Sequence, residues 1–177
     1  MFTYTGIGSR DTPENVLSTI SVLANYLAVA GWCLRSGGAI GADTAFENGC
    51  DLVKGAKEIY LPWKGYNRNP SPLHDIPEKA FTVSKKFHPH WERLSPAVRK
   101  IMARNAQQIL GKNLDCPCDI VVCWTPDGCT KGETRTKATG GTGQAIAIAS
   151  ALNIPVFNLR NTSASVDQLL AHIKTTC

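Results

Sequence analysis

The chain has 177 residues, of which 43% are apolar and 19% are charged, a balance typical of a globular domain with a buried core. No apolar run approaches the roughly 20 residues that a membrane-spanning helix needs, and the N-terminus lacks the basic and apolar regions of a signal peptide. These features predict a single cytoplasmic domain over residues 1–177, with no membrane partner. The formal net charge of +5 favours an anionic partner without requiring one, because Lys and Arg are spread along the chain.

Short runs of apolar and β-branched residues predict five β-strands. The first of them, FTYTG, ends at a glycine and opens a loop. The predicted strands are residues 2–6, 32–36, 57–62, 119–124 and 155–159.

Helical patterns separate these strands. In the first helix, apolar residues recur at helical spacing from Val16 to Leu27, Thr12 is a candidate N-cap, and Gly31 ends the pattern. The other helices are predicted from about Ala42, at 75–87, at 95–111, from about Gly143 and from Ser165. Strands that alternate with helices in this way predict an α/β fold, a Rossmann-like doubly wound parallel sheet of about five strands in a single domain.

Two long polar segments interrupt the pattern. Residues 63–74 are rich in Pro, Asn and Gly, which predicts an irregular surface loop that serves as a ligand lid. The segment PDGCTKGETRTKATGG, which follows the fourth strand, has almost no apolar residues and is expected to be mobile. Its basic residues Lys131, Arg135 and Lys137 either steer anions or form a solvated loop.

Three glycine-containing loops each follow a strand, or a loop leaving one, and lead into a helix. They are TGIGSR (5–10), SGGAIGAD (36–43) and TGGTGQA (139–145). Glycine lets the backbone approach an anion closely, and the amides at a helix start bind phosphate. In an open α/β sheet, such loops meet at the carboxyl ends of the strands. The alternative is that the glycines only form tight turns.

The predicted ligand-binding residues lie on these loops, on the fourth predicted helix (95–111) and at the end of the fourth strand. Arg10 is expected to contact a phosphate or to pair with Asp43. Asp43 either contacts the ligand or only interacts favourably with the dipole at the N-terminus of its helix. Ser9 and Ser36 either cap helices or donate to phosphate oxygens. The predicted set is Gly8, Ser9, Arg10, Ser36, Gly37, Gly38, Ala39, Gly41, Asp43, Arg104, Asn105, Trp124, Gly140, Gly141, Thr142, Gly143 and Gln144.

Aromatic residues near strand ends are candidates for stacking on a base, namely Trp63, Tyr66, Trp91 and Trp124. For Trp124, stacking and covering the edge of the core are equally supported.

The seven cysteines are an odd number, and Cys33 and Cys123 lie in apolar runs, so reduced thiols are expected. A zinc site is one interpretation of Cys116, Cys118, Cys123 and Cys129, with His88 and His90 nearby in sequence. The CPC spacing is too short for the usual pair of zinc ligands, so no metal and no cofactor are predicted.

Four blocks resemble a known superfamily. TGIGSR, RSGGAIGADTAF, RKIMARNAQQI and GGTGQAIAIASALNIPVFNL are similar to successive blocks of the superfamily that unites the DNA-processing protein A (Smf) group with the LOG "lonely guy" phosphoribohydrolases. The first two blocks are closer to the DNA-processing group, and Arg104 and Asn105 resemble that group's RN pair. The resemblance implies a Rossmann-like pocket that binds single-stranded DNA, and a homodimer formed through the helices near 75–111.

This chain lacks one feature of the LOG enzymes. Those enzymes have a catalytic Glu near the GGxG block, where this chain has Gln144 and the residues that follow it, although Arg99 and Lys100 match their Arg-Lys pair. Glu47 or Glu133 would have to supply the missing carboxylate.

The sequence therefore predicts binding of a nucleotide, dinucleotide or other phosphate-bearing ligand, as a receptor or sponge. Two alternatives stay open: binding of single-stranded DNA, and hydrolysis of an N-glycosidic bond in a nucleotide.

Overall fold

A computed structural model describes residues 1–176, and its centre is a five-stranded parallel sheet. The strands are β1 (Thr3–Gly8), β2 (Cys33–Ser36), β3 (Lys57–Ile59), β4 (Ile120–Trp124) and β5 (Val156–Asn158). The helices are α1 (Glu14–Val29), α2 (Ala42–Asp51), α3 (Glu78–Phe87), α4 (Pro96–Leu110), α5 (Thr142–Ala151) and α6 (Thr162–Thr176).

The strand order is β3-β2-β1-β4-β5, and all four pairings are parallel. The chain runs from β1 outward to β3, then returns to place β4 on the other side of β1. The order therefore reverses between β1 and β4, where Gly8 is in register with Trp124. Ligands of open α/β sheets bind outside the carboxyl ends of the strands at such a reversal.

Helices cover both faces of the sheet, as the prediction of a doubly wound fold requires. One core joins α1, α2 and α6 to the sheet through residues such as Ile20, Phe46 and Leu169. The other core joins α3, α4 and α5 through residues such as Ala80, Ile109 and Ile146. The predicted α/β, Rossmann-like parallel sheet of five strands is confirmed.

The element boundaries differ from the sequence predictions in a few places. β1 runs two residues past the predicted end, because Ile7 and Gly8 continue to pair with β4. Thr12 does not cap α1: its hydroxyl donates to the carbonyl of Ser9 at 2.7 Å, and Pro13 is the residue before the helix. α2, for which Gly49 is a candidate end by sequence, continues to Asp51.

The polar segment between β4 and α5 is cross-linked by one carboxylate. Asp127 accepts hydrogen bonds from the hydroxyls of Thr125, Thr136 and Thr139. Partial burial acts to raise the pKa of Asp127, but these hydrogen bonds outweigh it and bring the pKa to about 2. The network joins residues up to 12 positions apart, which the composition of the segment does not indicate, and the mobility of the segment stays a prediction.

Arg135 holds the same segment from a second side. Its guanidinium donates to the carbonyl of Gly132 at 2.8 Å, to that of Phe87 at 2.9 Å and to that of Gly143 at 3.4 Å. It thus joins the end of α3 to the start of α5.

Within residues 1–176, no helix combines the length and apolar character that crossing a bilayer requires.

Candidate functional site

The three glycine loops meet in one cavity at the carboxyl ends of β1 and β4. Its volume is about 330 Å³, within the range of small-molecule sites. The cavity is bounded by the first and second glycine loops, α4, the start of α5 and the turn at Tyr66. It is lined by Ile7, Gly8, Ser9, Arg10, Asp11, Ala39, Asp43, Tyr66, Val98, Ile101, Met102, Arg104, Asn105, Ala138, Thr139, Gly140, Gly141 and Thr142.

Asp43 joins the first two loops at the floor of this cavity. Asp43 is 1% exposed, and its carboxylate accepts from the amide of Gly8 at 3.3 Å and from that of Ala39 at 3.4 Å. Burial raises the pKa of the Asp43 carboxyl, against the opposing effect of Arg104 and of these amides. The carboxylate therefore occupies the place where an anion would meet these amides.

Arg104 forms a buried ion pair with Asp43, with 3.5 Å between Nη1 and the carboxylate oxygen. Burial lowers the pKa of Arg104, and Asp43 opposes that effect. The guanidinium also lies against the second loop, because a Cβ on Gly37 would be only 1.6 Å from Nη1. A side chain at position 37 would therefore displace Arg104.

Asn105, the next residue of α4, holds the third loop. Its side-chain amide donates to the carbonyl of Gly141 at 3.3 Å and to the side-chain oxygen of Gln144 at 3.5 Å. The consecutive residues Arg104 and Asn105 thus reach different loops from one turn of α4. Together they set the distance between the second and third glycine loops.

The first two loops also pack directly on each other. Gly41 has φ of +83°, and a Cβ there would lie 2.7 Å from the carbonyl oxygen of Ser9. Glycine is needed at this position both for its backbone conformation and for this close approach.

The cavity wall combines polar and apolar groups. Its polar part includes Ser9, Arg10 and the start of α5 at Gly141, where the first amides of the helix precede the hydrogen-bond ladder and the dipole is positive. Its apolar part is one face of α4, and the ring of Tyr66 also lines the cavity. The apolar residues are Val98, Ile101 and Met102.

Tyr66 is held by two arginines. The Nη2 atom of Arg10 donates to its hydroxyl at 3.3 Å, and the guanidinium of Arg104 lies 5.9 Å from the centre of its ring. The ring of Trp63 packs edge-on against Tyr66 at 5.1 Å. The long loop after β3, predicted as a lid, thus places an aromatic ring at the cavity wall.

The structure brings ten of the predicted site residues to the cavity wall and leaves seven outside it. Those at the wall are Gly8, Ser9, Arg10, Ala39, Asp43, Arg104, Asn105, Gly140, Gly141 and Thr142. Those outside the lining are Ser36, Gly37, Gly38, Gly41, Trp124, Gly143 and Gln144.

Several predicted contacts are replaced by others. Arg10 does not pair with Asp43, because Arg104 holds that carboxylate and Arg10 reaches Tyr66. Ser9 and Ser36 cap no helix: the Ser9 hydroxyl accepts from the amide of Asp11, and the Ser36 hydroxyl donates to the carbonyl of Gly6. The amides of residues 8 and 39, expected to hold phosphate, are bonded to Asp43.

Trp124 lies in the core rather than at the cavity. Its side chain is 6% exposed and packs in the core on the α1, α2 and α6 face. Of the two interpretations of Trp124 from sequence, the geometry therefore favours the structural one, and Tyr66 is the aromatic residue at the cavity.

The apolar wall on α4 was missed at the sequence level. Val98, Ile101, Met102 and Asn105 recur at intervals of three or four residues, which places them on one face of a helix. That spacing was the available signal, but it does not distinguish a cavity wall from a core face.

The cavity has two carboxylates, Asp11 and Asp43. Neither residue weighed as a substitute for the LOG glutamate lines it: Glu47 pairs with Lys57 at 2.8 Å, and Glu133 lies at a separate groove beside β5. Across the described part of the chain, no three His, Cys, Asp or Glu side chains form a metal-ligand cluster. The six cysteines among the described residues are free, and Cys177 lies outside them.

The fold and the cavity define a class of protein: a Rossmann-like α/β domain with a ligand-sized site at the switch point of its sheet. No family model and no curated protein matches the chain. The structure is similar to that of DNA processing protein A from Helicobacter pylori, a structure described for its mode of binding single-stranded DNA, with a TM-score of 0.56 and 17% sequence identity.

The alignment covers 89% of this chain and 64% of the Helicobacter pylori chain. This chain therefore spans less than two thirds of the length of its structural neighbour. At this level of identity the likeness shows a shared fold, and it agrees with the resemblance of the glycine-loop blocks to the DNA-processing group.

Proposed function

We propose that this chain binds the phosphate and base of a nucleotide in the cavity between β1, β4 and α4. The observation that carries the proposal is that one cavity is lined by an arginine and a helix N-terminus together with an aromatic ring and an apolar helix face. A nucleotide combines an anionic group with a planar base, and this lining offers partners for both. The loops of all three glycine blocks contribute to the cavity wall.

The anionic end of the ligand is assigned to Arg10 and to the amides at Gly141 and Thr142. The amides of Gly8 and Ala39 are not available, because Asp43 accepts their hydrogen bonds. Asp43 and Arg104 act as positioning residues that hold the loops, and the mobile contact is the guanidinium of Arg10, which a phosphate would draw from Tyr66.

The base is assigned to the space between Tyr66 and the α4 wall of Val98, Ile101 and Met102. A base-aromatic stack contributes about 1–3 kcal/mol and tolerates any base. Selectivity among bases is therefore expected to be weak, since the apolar wall offers no hydrogen bonds.

The test is to titrate the pure protein with mononucleotides, NAD-like dinucleotides, cyclic nucleotides and oligonucleotides, follow binding by calorimetry, and weigh the recovered ligands by mass spectrometry. We expect binding of at least one small nucleotide, lost in Arg10→Gln and kept in Arg160→Gln, a change outside the cavity lining. An altered ligand mass would establish turnover, with Asp11 as the first carboxylate to replace. Absence of binding by every small nucleotide would contradict the proposal.

Single-stranded DNA is the second candidate ligand. The specific observation in its favour is the likeness to DNA processing protein A, which binds single-stranded DNA. In that case the cavity takes one nucleotide of a strand, and affinity rises with strand length and falls steeply with salt.

A further inference from the structure

A positively charged surface lies at the end of α3. Between residues 85 and 100 the chain has five Lys and Arg residues and a single acidic residue, Glu92. This short stretch therefore accounts for most of the net charge of +5. The basic residues are Lys85, Lys86, Arg93, Arg99 and Lys100.

We refer to the groove lined by Lys85, His88, His90, Glu92 and Arg93 as the α3-end surface. The turn at Trp91 holds its shape: the indole is 7% exposed, and Arg99 and His88 pack against it at 5.7 and 6.4 Å. The lysine and arginine that line the groove are solvent-exposed.

Glu92 does not cancel this charge. Its carboxylate lies 2.6 Å from Lys85 and 3.5 Å from Arg99, so one acidic group is shared by two cations. Arg93, on the same turn, has only a backbone hydrogen bond to the carbonyl of His90 among its described contacts. The groove therefore keeps a net positive charge that is free to meet an anion.

Arg135 connects the α3-end surface to the cavity. It bonds the carbonyl of Phe87, next to His88, and the carbonyl of Gly143, which follows the cavity residues Gly141 and Thr142. The start of α5, which lines the cavity, and the α3-end surface are thus joined by one side chain. A chain of phosphates leaving the cavity in that direction meets cations.

We propose that the α3-end surface binds the phosphate backbone of single-stranded DNA, through Lys85 and Arg93, when one nucleotide of the strand occupies the cavity. This rests on the proposed function, and specifically on DNA as its ligand. A mononucleotide that fills the cavity has no further phosphates to offer to the α3-end surface, so ligands of different length distinguish the two sites.

The test compares thymidine monophosphate with a labelled oligothymidylate of about 12 nucleotides, by calorimetry and fluorescence anisotropy. The variant is K85Q/R93Q, and the matched control is K54Q/K174Q, which removes the same charge from exposed positions after α2 and near the end of α6. Each phosphate contact on a single strand changes the slope of log affinity against log salt by roughly 0.7. Loss of two contacts should therefore reduce the slope by about 1.4 and the affinity at 0.1 M salt by about 25-fold.

We expect K85Q/R93Q to bind the oligonucleotide about 25-fold more weakly than the wild type does, while its affinity for the monophosphate stays that of the wild type. The control should match the wild type with both ligands. All four substitutions are at exposed positions, and equal melting temperatures would show that the variants are folded. If the wild type binds both ligands but K85Q/R93Q binds the oligonucleotide as tightly as the control does, the α3-end surface has no role.

If neither thymidine monophosphate nor any other small nucleotide binds the wild type, the proposed nucleotide site is refuted instead; if another mononucleotide binds, it replaces thymidine monophosphate as the short ligand. A further arm uses polyglutamate of matched charge. Binding of that polymer as tight as that of the oligonucleotide would overturn the assignment to DNA, because it would show a surface that accepts any polyanion.

Discussion

The buried pair between Asp43 and Arg104 makes the sharpest prediction about what holds the site together. The substitution Asp43→Asn leaves the guanidinium of Arg104 in place, 2% exposed and without its counter-charge. It also replaces one acceptor of the amides of Gly8 and Ala39 with a donor. Breaking a buried ion pair on one side typically costs about 3–5 kcal/mol, which is a large part of the stability of a domain of this size.

A double-mutant cycle with Arg104→Met separates the free energy of the Asp43–Arg104 interaction from the other effects of each substitution on stability. Because Arg104→Met removes the orphaned cation, the double variant should recover part of the loss, with a coupling of about 2–3 kcal/mol between the two positions. Urea unfolding followed by circular dichroism measures each free energy of unfolding.

The exposed pair of Asp51 and Lys57 is the control. Its oxygen and nitrogen are closer, at 2.7 Å, but the side chains are 51% and 29% exposed. Asp51→Asn should therefore cost less than about 1 kcal/mol. A coupling below about 0.5 kcal/mol between positions 43 and 104, or a loss at Asp51 equal to that at Asp43, would refute the reasoning that burial makes this pair the anchor of the loops.

Three further predictions concern the loops and the cavity. Gly41→Ala should destabilise the protein by about 1–3 kcal/mol more than Gly31→Ala, because both glycines have nearly the same positive φ but only at Gly41 does the added Cβ meet backbone; equal urea midpoints would contradict this. Asp127 has its pKa lowered to about 2, so its contribution to stability is present above its ordinary pKa near 4 and is lost as the pH falls toward 2. The slope of unfolding free energy against pH in that window should therefore be smaller in Asp127→Asn, and an unchanged slope would exclude the carboxylate as its source. Tyr66→Leu should weaken nucleotide binding by about 5- to 150-fold, whereas Tyr66→Phe keeps the ring and should bind nearly as the wild type does, as calorimetry can check; equal losses in both would refute stacking.

Much of the fold could be read from local patterns. The apolar run at β4 predicted a strand because a central strand of a parallel sheet is buried on both faces, and the alternation of strands and helices predicted the parallel sheet. The spacing of Val16 and Leu27 likewise predicted the buried face of α1. These signals are local, since they depend on residues within a few positions of one another.

Ten residues of the cavity wall could be named from the sequence, since glycine loops before helices lie at the carboxyl edge of any such sheet. What each of them does was not identifiable in this way. Asp43 was weighed as a ligand contact and Arg10 as its partner, yet Asp43 is 61 positions from the Arg104 that it binds. A pairing of that separation depends on how α4 packs against the sheet.

The sequence by itself determined the succession of strands and helices along the chain, the parallel sheet, and the sheet edge at which a ligand site is expected. These features follow from periodicity and turn chemistry, which act within single elements. Only the tertiary structure decided that Asp43 accepts the hydrogen bonds of the Gly8 and Ala39 amides, which the sequence had suggested for phosphate. It also decided that Tyr66 rather than Trp124 lines the cavity, and that Arg135 joins α3 to α5. Each of these contacts joins groups that are far apart in the chain. They depend on burial and geometry, which exist only once the helices pack on the sheet.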